Sequence, residues 1–326
     1  MKSRTVRIGS RGSDLALWQA RWVQGELLRL HPGNEVIIEV IKTTGDKILD
    51  APLSKIGDKG LFTREIETAL LEGRIDLAVH SLKDLPTELP DGLEIGAVSR
   101  REDPRDVFIP HPSNSIRKLM AQPPGAAIAT GSLRRKCQIA AVRPDMKIVD
   151  IRGNLGTRFK KLESSDWMGM ILARAGVVRL GWGPKIGETV TIEVILPAVG
   201  QGALGVEVRR GDHEISSLVS GLTDHATLQG TTAERAMLRT LEGGCQVPIG
   251  AYGRVMDSAN GRPVLMLDAM VGSLDGKKVV RSTIEGDPLE ADTLGRQLAA
   301  RLLAEGAEEI LRQIRALKQD VNKPEA

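Results

Sequence analysis

Arginine stands beside glycine and a small polar residue at three points of the chain: Arg11-Gly12-Ser13, Thr130-Gly131-Ser132-Leu133-Arg134-Arg135 and Arg152-Gly153-Asn154. Each point follows an apolar run and opens a helical pattern, so each reads as a strand-to-helix turn. A helix N-terminus offers unpaired amides and partial positive charge. Arginine adds a planar fork that matches a carboxylate, and glycine lets a ligand approach the backbone. Taken singly, any of these arginines reads equally well as a solvated surface charge. Taken together they fall at the C-terminal ends of strands, where open α/β sheets bind ligands. Their spread suits a ligand with several carboxylates. No Walker pattern is present, which disfavours a nucleoside triphosphate.

The stretch "VHSLKDLP" runs from an apolar strand into Ser81, Lys83 and Asp84 and stops at Pro86. A carboxylate there can shuttle a proton or stabilise a developing cation. It can equally organise the loop by accepting backbone hydrogen bonds. "LEGGCQVPIG" puts Cys245 on a glycine-flanked turn behind a helix C-terminus. The partial negative charge of that end tends to raise a thiol pKa, which argues against a conventional thiolate nucleophile. A small buried residue and a permanent covalent anchor both remain compatible with the turn.

The elements that must position these groups alternate. VRIGS reads as a strand, residues 14–30 as a helix capped by Ser13 or Asp14, and EVIIEVIKT as a second strand. Leu15, Trp18, Trp22, Val23 and Leu30 fall on one helical face, which places both tryptophans in the core. TREIETALLEG is a helix ended by Gly73, and IDLAVHS a buried strand. A second unit follows SRREDPRD, with strands AAIAT, KIVDI and MGMILA and helices starting near Ser132 and Thr157. Strands alternating with helices imply largely parallel sheets. ILPAVGQGALGVEVRR reads as a return segment.

The last third reads as a small α+β domain. A capping box, Thr231 to Glu234, opens a helix closed by two glycines. Three strand-like runs follow, joined by turns at Asn260-Gly261 and Asp275-Gly276. One long amphipathic helix carrying Leu294, Leu298, Leu302 and Ile310 covers a face, and the tail VNKPEA frays.

Composition bounds the partners. The 326 residues are 41% hydrophobic and 27% charged with a net charge of +3. That is ordinary for a globular protein and, with 2% aromatics, poor for nucleic-acid binding. The start has no secretory pattern and no apolar run reaches membrane-spanning length. Two cysteines far apart, Cys137 and Cys245, suit a reducing, cytoplasmic setting. The five histidines have no ligand spacing, so no metal is expected.

The stretches "LALWQA", "KGLFTREIE", "DLAVHSLKDLP", "TGSLRRKCQI", "IRGNLGTR", "LARAGVVRLG", "PAVGQGALGVEVR" and "LEGGCQVPIG" run in order over most of residues 6–252. In them the chain resembles the porphobilinogen deaminase, or hydroxymethylbilane synthase, family. The resemblance implies two periplasmic-binding-protein-like α/β domains with cross-over hinges and a small α+β domain with a three-stranded antiparallel sheet. The expected boundaries are 1–102 with 200–220, then 103–199, then 221–326. It implies a transferase with a dipyrromethane cofactor held through a thioether to Cys245. Onto this primer four porphobilinogen molecules condense head to tail with loss of ammonia, and hydroxymethylbilane is released.

Residue by residue, the resemblance makes Asp84 catalytic. It assigns Ser81, Lys83, Asp84, Thr130, Ser132, Arg134 and Arg135 to the cofactor. Arg11, Ser13, Gln19, Phe62, Arg152, Arg158 and Arg179 are assigned to the substrate, with Lys55–Phe62 as a lid. Asp14 and Gly131 stand where relatives often carry proline and serine; the latter change removes a hydroxyl contact. A monomer is the family expectation. The rival class is a non-catalytic anion-binding module of periplasmic-binding-protein type, which leaves the cysteine-bearing third domain unexplained. A nucleic-acid-binding protein is a weaker rival.

Overall fold

The run TVRIGS forms strand β1 (Thr5–Ser10) with Val6 and Ile8 fully buried, and Ser13 caps the helix α1 (Asp14–Leu30) that follows. The computed structural model describes residues 5–47, 62–242, 247–258 and 261–321. Strands β2 (Glu35–Val40) and β3 (Leu77–Ser81) flank β1 in parallel, on either side of a helical turn α2 (Thr44–Lys47) and helix α3 (Arg64–Leu71). Strand β4 (Leu93–Val98) ends this part of the chain, and β10 (Leu204–Arg209) returns from far along the sequence to lie antiparallel between β3 and β4. The sheet order is therefore β2-β1-β3-β10-β4. Helix α7 (His213–Ser220) packs with α1 over this sheet.

The second sheet repeats the plan. Strands β5 (Asp106–Pro110), β6 (Ala127–Ala129), β7 (Lys147–Val149), β8 (Gly169–Ala173) and β9 (Glu188–Thr189) run in the order β7-β6-β8-β5-β9. Here β5 is the antiparallel member against β8. Helices α4 (Leu133–Val142), α5 (Leu155–Glu163) and α6 (Arg174–Arg179) connect them. These are two α/β domains of like plan, each sheet carrying one strand against the parallel grain where the chain crosses between them.

The third unit is α8 (His225–Thr240), the antiparallel strands β11 (Ile249–Asp257), β12 (Pro263–Gly272) and β13 (Val279–Gly286), and helices α9 (Ala291–Leu302) and α10 (Glu308–Val321). Leu265, Leu267, Ala269 and Val271 alternate along β12 and bury one face against Met237 of α8 and Leu298 and Leu302 of α9, the two-residue period of a half-covered sheet.

Several expectations are corrected here. The buried face of α1 is Ala16, Gln19, Ala20, Val23 and Leu27, one step round from the expected stripe. Trp18 and Trp22 are only partly buried. Thr231 and Glu234 form no capping box, because α8 starts two turns earlier, capped by Asp224. Thr231 donates to the Thr227 carbonyl instead, and Glu234 is wholly buried. The last helix is interrupted at Leu303–Ala307, where Gly306 takes φ 112°. Helix α5 begins at Leu155, capped by Asn154, ahead of Thr157. The strands β4 and β5, unforeseen in the sequence, supply the edge and the crossing partner that close the two sheets.

Two segments cross between the α/β domains, around residues 99–105 and 199–203. They touch: Glu102 N donates to Gly202 O at 3.2 Å and Leu204 N to Ser99 Oγ at 3.0 Å. Gly202 has φ 97°, and a Cβ there would fall 2.3 Å from Glu102 O, so only glycine fits.

Candidate active site

Each α/β domain presents the C-terminal ends of its parallel strands to the space between the two, and a cavity of about 370 Å³ lies there. From the first domain, β1 exits into Arg11, whose guanidinium carbon stands 4.2 Å from the Phe62 ring centre. Ser13 follows, its hydroxyl accepting from Ala16 N at 3.4 Å as the cap of α1. Strand β3 ends at Ser81, whose Oγ accepts from Gln19 Nε2 at 2.8 Å. A single 3-10 turn, Leu82–Asp84, then carries Lys83 and Asp84 onto the cavity wall. Leu82 N donates to Ala203 O at 3.0 Å, which pins this turn to the second crossing segment.

From the second domain come four arginines. Arg152 lies in the turn before α5, and Arg158 within that helix donates from Nε to Gly153 O at 2.8 Å. Arg179 ends α6, donates to Gly202 O at 2.7 Å and stacks over Trp18 at 5.5 Å. Arg135 is nearly fully buried: Nη2 donates to Asp106 Oδ1 at 2.8 Å and Nη1 to Ile171 O at 3.1 Å. Its Nε is buried with no acceptor among the described residues.

The cations are crowded. Burial brings Lys83 down to about 8, with Asp84 pulling it back up and Arg135 pushing it down. Burial likewise lowers Arg158 to about 10, helped by repulsion from Arg135 and Arg152 and opposed by Asp84. Burial lowers Arg179 to about 10, opposed by Glu102. Charged groups held out of water without enough anions are a site waiting for a polyanion.

The expected residues divide in two groups. The structure brings Arg11, Ser13, Gln19, Phe62, Ser81, Lys83, Asp84, Arg135, Arg152, Arg158 and Arg179 to one cavity. It does not bring Thr130, Ser132 or Arg134 to that lining. Thr130 is wholly buried and its Oγ1 accepts from Ser132 N at 3.3 Å, while Ser132 caps α4. Arg134 donates to Asp106 Oδ2 at 2.8 Å and to Leu196 O at 2.6 Å, beneath the cleft. Gly131 also has a reason: a Cβ there would sit 2.6 Å from Ile151 O, so a serine would need the neighbouring turn to move. Cys245 lies outside the described residues, as does the expected lid apart from Phe62. Before Cys245, Glu242 takes φ 50°, so the left-handed residue behind α8 is a glutamate.

Sequence reasoning missed Asp106, Gln201 and the role of Trp18. An acid at the head of the apolar run DVFIP signals a buried carboxylate that needs a cation, and Arg134-Arg135 are that partner. Burial opposes ionisation of Asp106, but the two guanidiniums overcome it and hold its pKa far below the usual carboxylate range. Among the described residues no group of three or more His, Cys, Asp and Glu is placed to hold a metal.

Fold and cleft together define a two-lobed α/β protein with a cation-lined cavity between its lobes and a third α+β domain attached. The sequence family of that class is specific. The model described as "Porphobilinogen deaminase, dipyromethane cofactor binding domain" matches residues 6–217, and its C-terminal domain model matches residues 228–304. The chain belongs to the porphobilinogen deaminase family. It is 52% identical over 310 residues to the porphobilinogen deaminase of Carboxydothermus hydrogenoformans, covering 95% of this chain and 97% of that one. Identity to that of Moorella thermoacetica is 49% over 311 residues, with 95% and 97% covered. For Chlorobium phaeobacteroides the values are 51% over 319 residues, with 97% and 99% covered.

The dipyrromethane group of this family fits the residues present. A pair of pyrroles with acetate and propionate arms carries four carboxylates, and the cleft supplies a buried, acceptor-less Arg135 Nε beside cations whose pKa values burial has depressed.

Proposed function

We infer that this chain is a hydroxymethylbilane synthase, a transferase of tetrapyrrole and heme biosynthesis. It joins four porphobilinogen molecules head to tail with loss of ammonia and releases the linear tetrapyrrole. The observation that carries this reading is the cleft itself: cations from both lobes gather round the Lys83–Asp84 turn in one cavity, and burial depresses the pKa of Lys83 and Arg158 there. A purely passive anion binder, the rival reading, has no use for a cysteine-bearing third domain, and family membership does not favour it.

The dipyrromethane cofactor, when bound, supplies the pyrrole carbon to which the first substrate is joined. Cys245 is the anchor we assign to it. The other cysteine supports that choice: Cys137 is fully buried, and burial, with Asp275 adding to it, pushes its thiol up to about 11. Lys83, Ser81 and Arg135 take the cofactor's polar groups. Thr130, Ser132 and Arg134 act one layer below by fixing the α4 turn. Arg11, Ser13, Arg152, Arg158 and Arg179 take the carboxylate arms of incoming and growing chain, with Phe62 and Gln19 on the same wall.

Loss of ammonia from the aminomethyl carbon of porphobilinogen leaves a cationic pyrrole methylene. To Asp84, on the cavity wall, we assign the stabilisation of that charge and the movement of protons at the pyrrole nitrogen and the leaving amine. Binding many carboxylates and making few contacts to the reacting carbon separates the two tasks: the arginines hold, the aspartate reacts.

The units we assign are 1–102 with 200–220, 103–199, and 221–326. We assign a cytoplasmic monomer with no nucleic-acid or membrane partner. Among the described residues no helix is long and apolar enough to cross a membrane. Intact mass tests the reading. The purified protein should exceed its sequence mass by one dipyrromethane, gain pyrrole increments on brief exposure to porphobilinogen, and lose the adduct in Cys245→Ser. Full activity without the extra mass, or an adduct that survives in that variant on Cys137, overturns it.

A further inference from the structure

Gln201 lies in the second crossing segment, 1% exposed, on the floor of the cleft. Its Nε2 uses both hydrogens, donating to Pro104 O of the first crossing segment at 2.6 Å and to Asp106 Oδ1 at 2.9 Å. Asp106 Oδ1 also accepts from Arg135 Nη2 at 2.8 Å, and Oδ2 from Arg134 Nη1 at 2.8 Å. The amide orientation is dictated by this chemistry. Turned over, Oε1 would face a carboxylate and a carbonyl with no hydrogen between them. The Oε1 is left buried without a partner among the described residues, a cost accepted so that Nε2 can serve both acceptors.

The neighbours of Gln201 reach the other parts of the site. Gly200 N donates to Glu234 Oε2 of the third domain at 2.6 Å, and Gly202 O accepts from Arg179 at 2.7 Å. A segment of three residues thus touches the third domain, one cleft arginine directly and a second through a single buried carboxylate.

We propose that Gln201 is a positioning residue for the known reaction: through Asp106 it fixes the Arg135 guanidinium, so that the crossing segment and this cleft cation move as one body. Gln201 need not touch the reacting atoms. Without its amide, Asp106 keeps its two arginines but loses its side-chain tie to the second crossing segment, and Arg135 is free to shift when the lobes shift. Glutamate is no substitute, because a second carboxylate against buried Asp106 repels it unless protonated.

The proposal rests on the hydroxymethylbilane synthase reading, and the experiment separates the two. Wild type, Gln201→Met, Arg135→Lys and the double variant are compared as holoenzymes by intact mass, thermal unfolding and steady-state turnover of porphobilinogen. Wild-type turnover and dipyrromethane mass report on the reading alone. If Gln201 acts through Arg135, Gln201→Met keeps the cofactor mass and raises KM about tenfold with kcat little changed, the mark of lost uniform binding. The double variant is then no worse than Arg135→Lys. Wild-type KM in Gln201→Met, or effects that multiply in the double variant, overturn the proposal. Should Gln201→Met fail to fold, Gln201→Glu decides: its kcat/KM relative to wild type should fall as pH rises and the new carboxyl ionises, whereas a pH-independent ratio overturns the coupling.

Discussion

Arg101 and Glu234 form a fully engaged buried pair that locks three parts of the chain together. Arg101, in the first crossing segment, donates to Glu234 Oε1 at 2.5 Å and Oε2 at 3.3 Å. The same carboxylate accepts from Gly200 N at 2.6 Å and Gly253 N at 2.8 Å. Removing one partner of such a pair leaves a buried charge uncompensated. Glu234→Ala should therefore lower unfolding stability by about 3–5 kcal/mol, read from the shift in urea midpoint at constant slope. A loss under about 1 kcal/mol, the range of exposed pairs, would show that the crossing segments are held elsewhere.

Lys83 gives the cleft a pH limit. Burial lowers its pKa to about 8, and cofactor carboxylates paired with it raise that again, so the holoenzyme loses this positive charge at a pH above 8 but short of the ordinary 10.5. The profile of kcat/KM reports ionisations of the free enzyme, so it should turn down within that range. Lys83→Arg, which keeps its charge, should move the alkaline limb upward. The sign for stability is opposite. Below the folded pKa both states carry the proton and the cost of the buried cation is full. Between that value and the ordinary 10.5 the unfolded chain holds more protons, so stability rises with pH. An unchanged alkaline limb in Lys83→Arg would assign the limit to another group.

How much of this was legible in the sequence depends on which physical signal carried it. The apolar runs of β1 and β3 and the small polar residues that follow the strands marked the turns bearing Arg11, Arg135, Arg152 and Lys83–Asp84, whereas Arg158 and Arg179 came to the site only through the family resemblance. What failed was periodicity on α1, where buried Gln19 belongs to the inner face because Ser81 receives its amide. Polar side chains that bury by pairing leave no trace in an apolar pattern. Glu234 failed for the same reason: Thr231 and Glu234 have capping-box spacing, yet the glutamate serves Arg101, 133 residues away in sequence. Arg134 and Arg135 are adjacent, chemically identical and both paired with Asp106; the turn of about 100° between successive helix residues sets one on the cavity wall and the other beneath it.

Glu67 should be a stability liability at neutral pH. It packs in the first domain near Glu207 and His80, with His80 Nε2 3.1 Å from Glu207 Oε2. Burial, then the Glu207 charge, raises the Glu67 pKa above its ordinary 4.5. A raised carboxyl costs nothing while both states are protonated and costs most once the folded form ionises. Glu67→Gln should thus stabilise the protein at pH 7 and lose its advantage as pH falls through the ordinary carboxylate value. Equal destabilisation at both ends of the range would make the carboxylate a structural acceptor instead.

Arg152 should be dispensable for folding and needed for substrate. Among the described residues it has no hydrogen-bond acceptor or ion-pair partner, and it repels Arg158. Arg152→Leu should unfold at the same temperature as wild type or higher, since it relieves like-charge crowding, while KM for porphobilinogen rises about tenfold, as for one lost charged contact. A fall of several degrees in unfolding temperature with unaltered KM would make Arg152 a scaffold residue. Added salt should raise KM less in the variant than in wild type, because screening acts on an attraction the variant lacks.

Asp84 carries the sharpest test, because it is exposed on the cleft wall and its replacement has little to disturb in the core. Asp84→Asn keeps the shape and removes the charge. If Asp84 stabilises the cation left by ammonia, the loss falls on the transition state and not on binding, so kcat should drop by roughly 10²–10³ with KM nearly constant. Far-ultraviolet circular dichroism and the unfolding temperature should match wild type. Lys83 should titrate lower in the variant, since Asp84 raises its pKa, and the alkaline limb of kcat/KM should move down with it. Wild-type rates in Asp84→Asn would leave the aspartate as a loop-organising residue. A changed rate with an unmoved alkaline limb would separate its catalytic part from its pairing with Lys83.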